Sequence, residues 1–353
     1  MKNIPLYSLL LIVPGIVGSG CLGSSGSSDA LDPVPVSLSP TTTTLSASAP
    51  SLALAVNDTA LSASLTGIPR TFTLTNTGST TATSVGYVAS PALPAGTTIS
   101  PANCGDLAPA ATCVLTITPG ATASAAPGDI NPTAVTLAVA GTNTNTLSLS
   151  IDVLSYGSVY QAGYVFAVDD TTPNTGSIGG KVGALADQAP IFPNGITWSV
   201  AYDDIPGIYE TSTNPPEACN GNSDGACNSQ VIAAFYSPPT TNPAVSPSNY
   251  ASGLCAAPIA GRTDWYLPAI CEMGYDNGGG SGCGPMLQNM QTSLVENTTV
   301  AGLDGYYWSS TEFSINPSIG AFFQLFDSVG ATDQLGANKA DQLGVRCVRA
   351  ITN

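Results

Sequence analysis

Nine cysteines, no histidine and a few acidic pairs are what this 353-residue chain offers for chemistry. Without histidine, Ser-His-Asp and Cys-His catalysis are excluded, and so is every metal site that needs an imidazole. Setting Cys21 aside leaves eight cysteines: Cys104, Cys113, Cys219, Cys227, Cys255, Cys271, Cys283 and Cys347. An even set in an exported chain reads as disulfides. Pairing sequence neighbours ranks Cys104 with Cys113, Cys219 with Cys227 and Cys271 with Cys283 first, which leaves Cys255 for Cys347. Spacing alone does not decide the connectivity, and Cys255 with Cys271 stays open. Thiol catalysis would need an unpaired cysteine of low pKa, and the even count leaves none obvious. The stretch "NGNSDG" at 220–225 alternates oxygen-bearing side chains like the start of an EF-hand loop. Val231 stands where the bidentate glutamate would close such a loop, so a disulfide-closed polar turn is the better reading and calcium the lesser one. Asp169–Asp170 and Asp203–Asp204 could be ligands, yet chain neighbours more often sit on loop surfaces. No glutamates show the spacing of a general-acid pair. No cofactor is indicated, and the chain does not read as an enzyme.

Charge narrows the partners. Seven Lys+Arg face 23 Asp+Glu, the net charge is −16, and only 8% of residues are charged. Nucleic acid binding needs clustered cations, and there are none here. Sulfated glycans and anionic lipid headgroups are disfavoured on the same ground. The polar surface must be mostly Ser, Thr, Asn and Gln, which is typical of secreted or surface proteins.

The elements that would position any site begin with an export signal over residues 1–20: Lys2, then the apolar run "IPLYSLLLIVPGIVG", then small residues. Pro5 and Pro14 make that run a poor membrane span. "GSGC" at 18–21 resembles a bacterial lipobox, departing from it at Gly18, and implies a lipidated Cys21. Leu22 after the cysteine implies retention at the outer membrane and hence the cell surface. Residues 21–50, rich in Ser, Thr, Pro and Gly, read as a flexible tether. From 51 to 154 apolar and hydroxyl residues alternate: Phe72 and Leu74 among threonines, then Val135, Leu137 and Val139, then Leu147, Leu149, Ile151 and Val153. This period of two predicts half-buried antiparallel strands and an immunoglobulin-like sandwich serving as a spacer. Beyond "SYGSVYQAGYVFAVDD" the texture becomes mixed α and β. Pro268 and Pro285 each open an expected helix, the second placing Leu287, Met290 and Leu294 at helical spacing. Long Gly/Asn/Pro-rich loops, notably 203–250, are expected between these elements.

The run "RTFTLTNTGSTTATSV…CGDLAPAATCVLTITPG" resembles bacterial Ig-like repeats that space out surface proteins. "YVFAVDDTTPNTGSIGGKVGALADQ", "RTDWYLPAICEM", "GYYWSSTE" and "GVRCVRA" resemble, in order and spacing, the Lcl C-terminal-domain-like family. The resemblance covers about 156–351. It implies a compact α+β, C-type-lectin-like domain over 156–353, with first and last strands side by side and a binding surface on a small sheet and its loops. A Cys255–Cys347 bridge would suit that arrangement, and Trp308 of "YYWSST" would be a core residue.

The segment of about 313–341 also resembles the variable region of ligand-binding proteins diversified by retroelements. There, mutated Asn codons cannot become Gln, Glu, Lys, Trp or Met. Trp308, Glu312, Gln324, Gln334, Lys339 and Gln342 would then be scaffold. Phe313, Ile315, Ile319, Phe323, Leu325, Asp327, Ala331, Thr332, Asp333, Leu335, Gly336 and Ala337 would form the ligand surface. Strand alternation agrees in part: Phe322, Gln324 and Phe326 share one face, and Phe323, Leu325 and Asp327 the other. The function this favours is a surface-displayed lipoprotein that binds a protein or glycan on another surface. The runner-up is an adhesin with a fixed glycan ligand. An enzyme resembling the formylglycine-generating branch comes third.

Overall fold

Alternation of apolar and hydroxyl residues builds the first half of the chain. The computed structural model describes residues 42–208, 219–241, 243–278, 280–285, 288–327 and 332–352. The signal segment, Cys21 and most of the tether lie outside them. Nine strands follow one another: β1 (Leu45–Ala47), β2 (Ser51–Ala55), β3 (Arg70–Asn76), β4 (Ala82–Ser90), β5 (Thr98–Ser100), β6 (Gly105–Leu107), β7 (Thr112–Thr118), β8 (Val135–Ala140) and β9 (Leu147–Leu154). They form two sheets, ordered β1-β3-β7-β5 and β2-β9-β8-β4-β6. Phe72, Leu74, Leu115 and Ile117 of one sheet and Val135, Leu137, Val139, Ile151 and Val153 of the other are buried in one shared cluster. The alternate threonines and serines are left half-exposed.

Two expectations are corrected here. Ordered chain begins before residue 51, because β1 lies inside the stretch read as tether. Leu45 is buried opposite Asn76, and the Thr43 hydroxyl donates to Asn76 Oδ1 at 2.9 Å. Nor are all the strands antiparallel, since β2 runs parallel to β9. Residues Leu52–Ala55 are all buried, and β2 has a hydrogen-bonding neighbour on each edge: β9 on one, while on the other Ala53 N donates to Gly176 O and Ile178 N to Ala53 O.

The second half contributes β10 (Val159–Tyr160), β11 (Gly163–Asp169), β12 (Gly179–Ala184), α1 (Gly225–Phe235), α2 (Ala251–Cys255), α3 (Ile270–Met273), β13 (Gly305–Glu312), β14 (Gly320–Phe326), β15 (Asp333–Asn338) and β16 (Val348–Ala350). The last strand returns to the first hairpin in a sheet ordered β10-β11-β12-β16, and β13-β14-β15 form a separate antiparallel sheet. Helix α1 stands where only loop was expected. Asp224 of the "NGNSDG" turn caps it, accepting from Cys227 N at 3.0 Å, and this satisfies a donor at the helix start. The helix at Pro268 forms two residues later, with the Glu272 carboxylate accepting from Ala269 N at 2.7 Å. The helix expected from Pro285 is reduced to a π-helical turn, Gln291–Glu296, with Leu287 outside the described residues. Gln288 is diverted to a strand: its side chain accepts from Val168 N at 2.7 Å and donates to Val168 O at 2.9 Å.

A buried seam joins the halves, and Thr41–Asn353 forms one compact unit. Arg70 of β3, fully buried, pairs with Asp170 and also donates to Pro173 O and Ser177 O. Asp170 Oδ2 accepts from Thr66 Oγ1 at 2.7 Å and Ile68 N at 2.8 Å. The expectation that Asp169–Asp170 lies on a loop surface therefore fails for Asp170, which is 4% exposed. Four disulfides are present: Cys104–Cys113, Cys219–Cys227, Cys255–Cys347 and Cys271–Cys283. These are the first-ranked pairings.

Candidate ligand-binding surface

Strand register divides the candidate residues between two faces of the β13–β15 sheet. Directly opposed residues in an antiparallel pair share a face. Tyr306, Leu325 and Asp333 form one row, and Trp308, Phe323 and Leu335 the next; Ala321 and Ala337 follow. This is the outer face. Tyr307, Gln324 and Gln334 lie on the other face, as do Phe322 and Gly336.

The inner face is closed. Gln334 Nε2 donates to Gln324 Oε1 at 2.8 Å and to Ile270 O at 2.9 Å, and Gln324 Nε2 donates to Thr332 Oγ1 at 2.6 Å. The Ser281 hydroxyl completes the group by donating to Gln334 Oε1. The side-chain oxygen and nitrogen of Gln324 and of Gln334 each have a partner, which is why the glutamine pair can sit at zero exposure. Three candidates belong to this face and not to the outer one, with Thr332 buried, Phe313 half-buried and Gly336 exposed at its margin. Thr332 is fully buried as an acceptor for Gln324. Phe313 turns inward to meet Phe322 edge-on at 5.2 Å and packs beside the Cys271–Cys283 bridge. Gly336 makes room for it: a Cβ there would come within 3.0 Å of Phe313 Cγ.

The outer face is covered at one end only. Segment 196–198 lies over Trp308, whose Nε1 donates to Ile196 O at 2.9 Å, and Trp198 Nε1 donates to Ser309 O at 2.8 Å. Beneath it Lys339 and Glu312 form an ion pair at zero side-chain exposure, with Lys339 Nζ 4.2 Å from the Trp198 ring centroid. Burial raises the Glu312 carboxyl to about 8 although Lys339 opposes the shift, and it lowers Lys339 against the pull of Glu312. The uncovered end carries Tyr306, 42% exposed, meeting Phe323 edge-on at 5.4 Å. Leu335 is 46% exposed, Asp333 is exposed, and Phe323, Leu325, Asp327 and Ala337 are half-buried. Ile315, at 81%, and Ile319 project from the β13–β14 connection. Ala331 lies outside the described residues.

Tyr306, Ile191 and Phe192 were not among the residues expected from sequence, yet all three are exposed. Ile191 approaches within 3.4 Å of where a Cβ would stand on Gly305. Tyr306 shares strand parity with the buried Trp308, so alternation alone assigns it to the core. A cleft of about 410 Å³ lies elsewhere, against Lys181 and Glu272. Its carboxylate is committed to Lys181, Tyr266 OH, Ala269 N and Gly225 N, a bracing role. Among the described residues no group of three or more His, Cys, Asp or Glu could hold a metal ion, and "NGNSDG" is a helix cap. The eight cysteines of these residues are all disulfide-bonded. No described helix is long and apolar enough to cross a membrane.

No family model matches the chain, and no curated protein matches it. Among solved structures it is similar to a fimbrial protein from Bacteroides ovatus. The identity is 12%, with 88% of this chain and 71% of that chain covered, and the TM-score is 0.38. A likeness that slight carries no argument about either fold or function.

Proposed function

We propose that this chain is a surface-displayed lipoprotein whose C-terminal half binds a ligand through the outer face of β13–β15. In this reading residues 1–20 are a signal peptide and Cys21 anchors the chain in the outer membrane. The sheets of the first half are an Ig-like spacer, and residues 156–353 form a C-type-lectin-like domain. The segment of about 313–341 varies under the action of a retroelement. One observation supports the last point: the residues such mutagenesis cannot produce are, with one exception, buried, although Ala321, Phe322, Phe326 and Thr332, within its reach, are buried too. Trp308, Glu312, Gln324, Gln334 and Lys339 all have zero exposure, with Gln342 the exception. Ile315, Ile319, Asp333 and Leu335, all within its reach, are exposed. Outward side chains contribute little to stability, so this rim can change while the buried group holds the sheet.

Two measurements test the reading. A nearby near-copy of the coding segment, with Asn codons at the outward positions and a reverse transcriptase beside it, is expected; an invariant segment without such a copy overturns diversification. Replacing Phe323 and Leu335 by Ser is expected to abolish ligand capture with little change in Tm. A large fall in Tm would make these residues core. The second reading, a fixed-ligand adhesin for an uncharged glycan, is favoured by Tyr306, whose exposed ring offers a stacking face.

A further inference from the structure

The sheet's uncovered end is acidic on every strand. Asp304 immediately precedes β13, Asp327 follows β14, and Asp333 opens β15. Gly305 is opposite Phe326 and Leu325 is opposite Asp333, so all three aspartates fall at the same end. Neighbouring strands are about 4.8 Å apart, which places the three across roughly 10 Å. Beside them stand the exposed Tyr306 ring and the half-buried Phe323 and Leu325.

The nearest cation is Arg346, which is buried, donates to Ala301 O and is paired with Asp187. Of seven Lys+Arg, Lys2 lies outside the described residues, which leaves six. Arg70, Lys181, Lys339, Arg346 and Arg349 are each in an ion pair, with Asp170, Glu272, Glu312, Asp187 and Asp264. Arg262, the sixth, acts on Asp264. An apolar face with an acidic edge favours a cationic group. A cation over an aromatic ring gains from the ring quadrupole, and complementary charge speeds encounter and rejects like-charged partners.

We infer that this face docks a partner protein through an exposed Lys or Arg flanked by a large apolar residue. The cation sits over Tyr306 toward Asp304, Asp327 and Asp333, and the apolar neighbour rests on Phe323, Leu325 and Leu335. The inference rests on reading this face as the recognition surface, and it names the partner's chemistry.

The test is selection of a random twelve-residue peptide library on the immobilised full chain, followed by affinity measurement of the enriched peptides. Enriched sequences should carry Lys or Arg within two residues of Leu, Ile or Phe. Their affinity should fall at least tenfold in Asp304→Asn/Asp333→Asn and in Tyr306→Ser. It should stay within twofold in Asp106→Asn/Asp129→Asn, which removes two exposed charges from the first half. Equal losses in both aspartate pairs would mean attraction to net charge alone and would overturn the inference, as would an acidic or uncharged consensus. Binding lost in Tyr306→Ser or Leu335→Ser but not in Asp304→Asn/Asp333→Asn overturns the cation and leaves the recognition face standing. Peptides indifferent to all of these substitutions, or no enrichment over bare support, overturn both. An unchanged Tm for each variant separates lost contact from lost fold.

Discussion

Between Leu45 and Leu154 nine strands carry one disulfide, Cys104–Cys113, whereas the seven strands from Val159 to Ala350 come with three disulfides and four ion pairs of their own. In the first half β2 pairs with β9 and β3 with β7 across long stretches of chain, and in β3 and β8 alternation directs the apolar side chains inward. In the second, no strand is found among the described residues between Ala184 and Gly305, which carry short helices among their loops. Such loops cost conformational entropy, which is offset in part by buried side chains such as Trp198, Trp265, Leu267, Ile270 and Met290. Cross-links and charged braces add to that burial. Five of the chain's seven cations serve in this way, and so the exterior is left acidic.

Removing one bridge from each half would test that contrast most severely. Cys255 and Cys347 are 92 residues apart and Cys104 and Cys113 only 9. On chain-entropy grounds the long bridge contributes about 4.6 kcal/mol and the short one about 2.7 kcal/mol. Urea unfolding of Cys255→Ser/Cys347→Ser should show the larger loss, with the second half melting first. Equal losses from the two double variants would end the claim that the second half leans on its cross-links.

Arg70 tests the seam between the two. Replacing it with Met leaves Asp170 buried without its cation, an arrangement that costs about 3 kcal/mol. Thr66 and Ile68 still donate to that carboxylate, which limits the damage. The wild type should unfold in one transition and Arg70→Met in two, followed by near-UV circular dichroism. A single transition in the variant would show that the β2 pairing with 176–178 suffices to couple the halves.

The contrast also governs what could be read from sequence. Phe72 and Leu74 among threonines declared β3, because a strand with one wet face writes its orientation into a period of two. The same rule separated Phe322 and Phe326 from Phe323 and Leu325 on β14. It failed at Tyr306 and Trp308, which share parity but not environment, because a distant segment at 196–198 covers only the tryptophan. The resemblance to diversified segments implied an outward Thr332 and Phe313, but Thr332 is buried against Gln324 and the half-buried Phe313 meets Phe322 edge-on. Helix α1 went unseen because Gly225, Asn228 and Ser229 are weak helix formers. Its start is fixed by Asp224 and a disulfide. Nothing in the sequence around Arg70 marks its partner Asp170, which lies a hundred residues away.

The smallest expected effect concerns the pair buried under Trp198, and its sign follows from burial. The folded Glu312 carboxyl keeps its proton up to about 8, while an unfolded glutamate releases it near 4.5. Between those values the folded state binds more protons than the unfolded one, so stability falls as pH rises through the window. Asp203, Asp204 and Tyr236 face the same site; Asp204 raises Glu312 further, and Tyr236 OH donates to Asp203 Oδ2 at 3.0 Å. The lowered pKa of Lys339 works in the opposite sense, toward its unfolded value of 10.5, where stability rises with pH. Wild-type Tm should therefore decline by a few degrees from pH 5 to pH 8. In Glu312→Gln, which keeps the shape and removes the titration, the decline should shrink while the acid limb set by the other carboxylates remains. What is left of the slope falls to groups such as Asp152 of the first half, whose carboxyl burial also raises. A slope that survives Glu312→Gln unchanged would mean that the pair stays fully ionised across the window, held together more tightly than burial drives it apart.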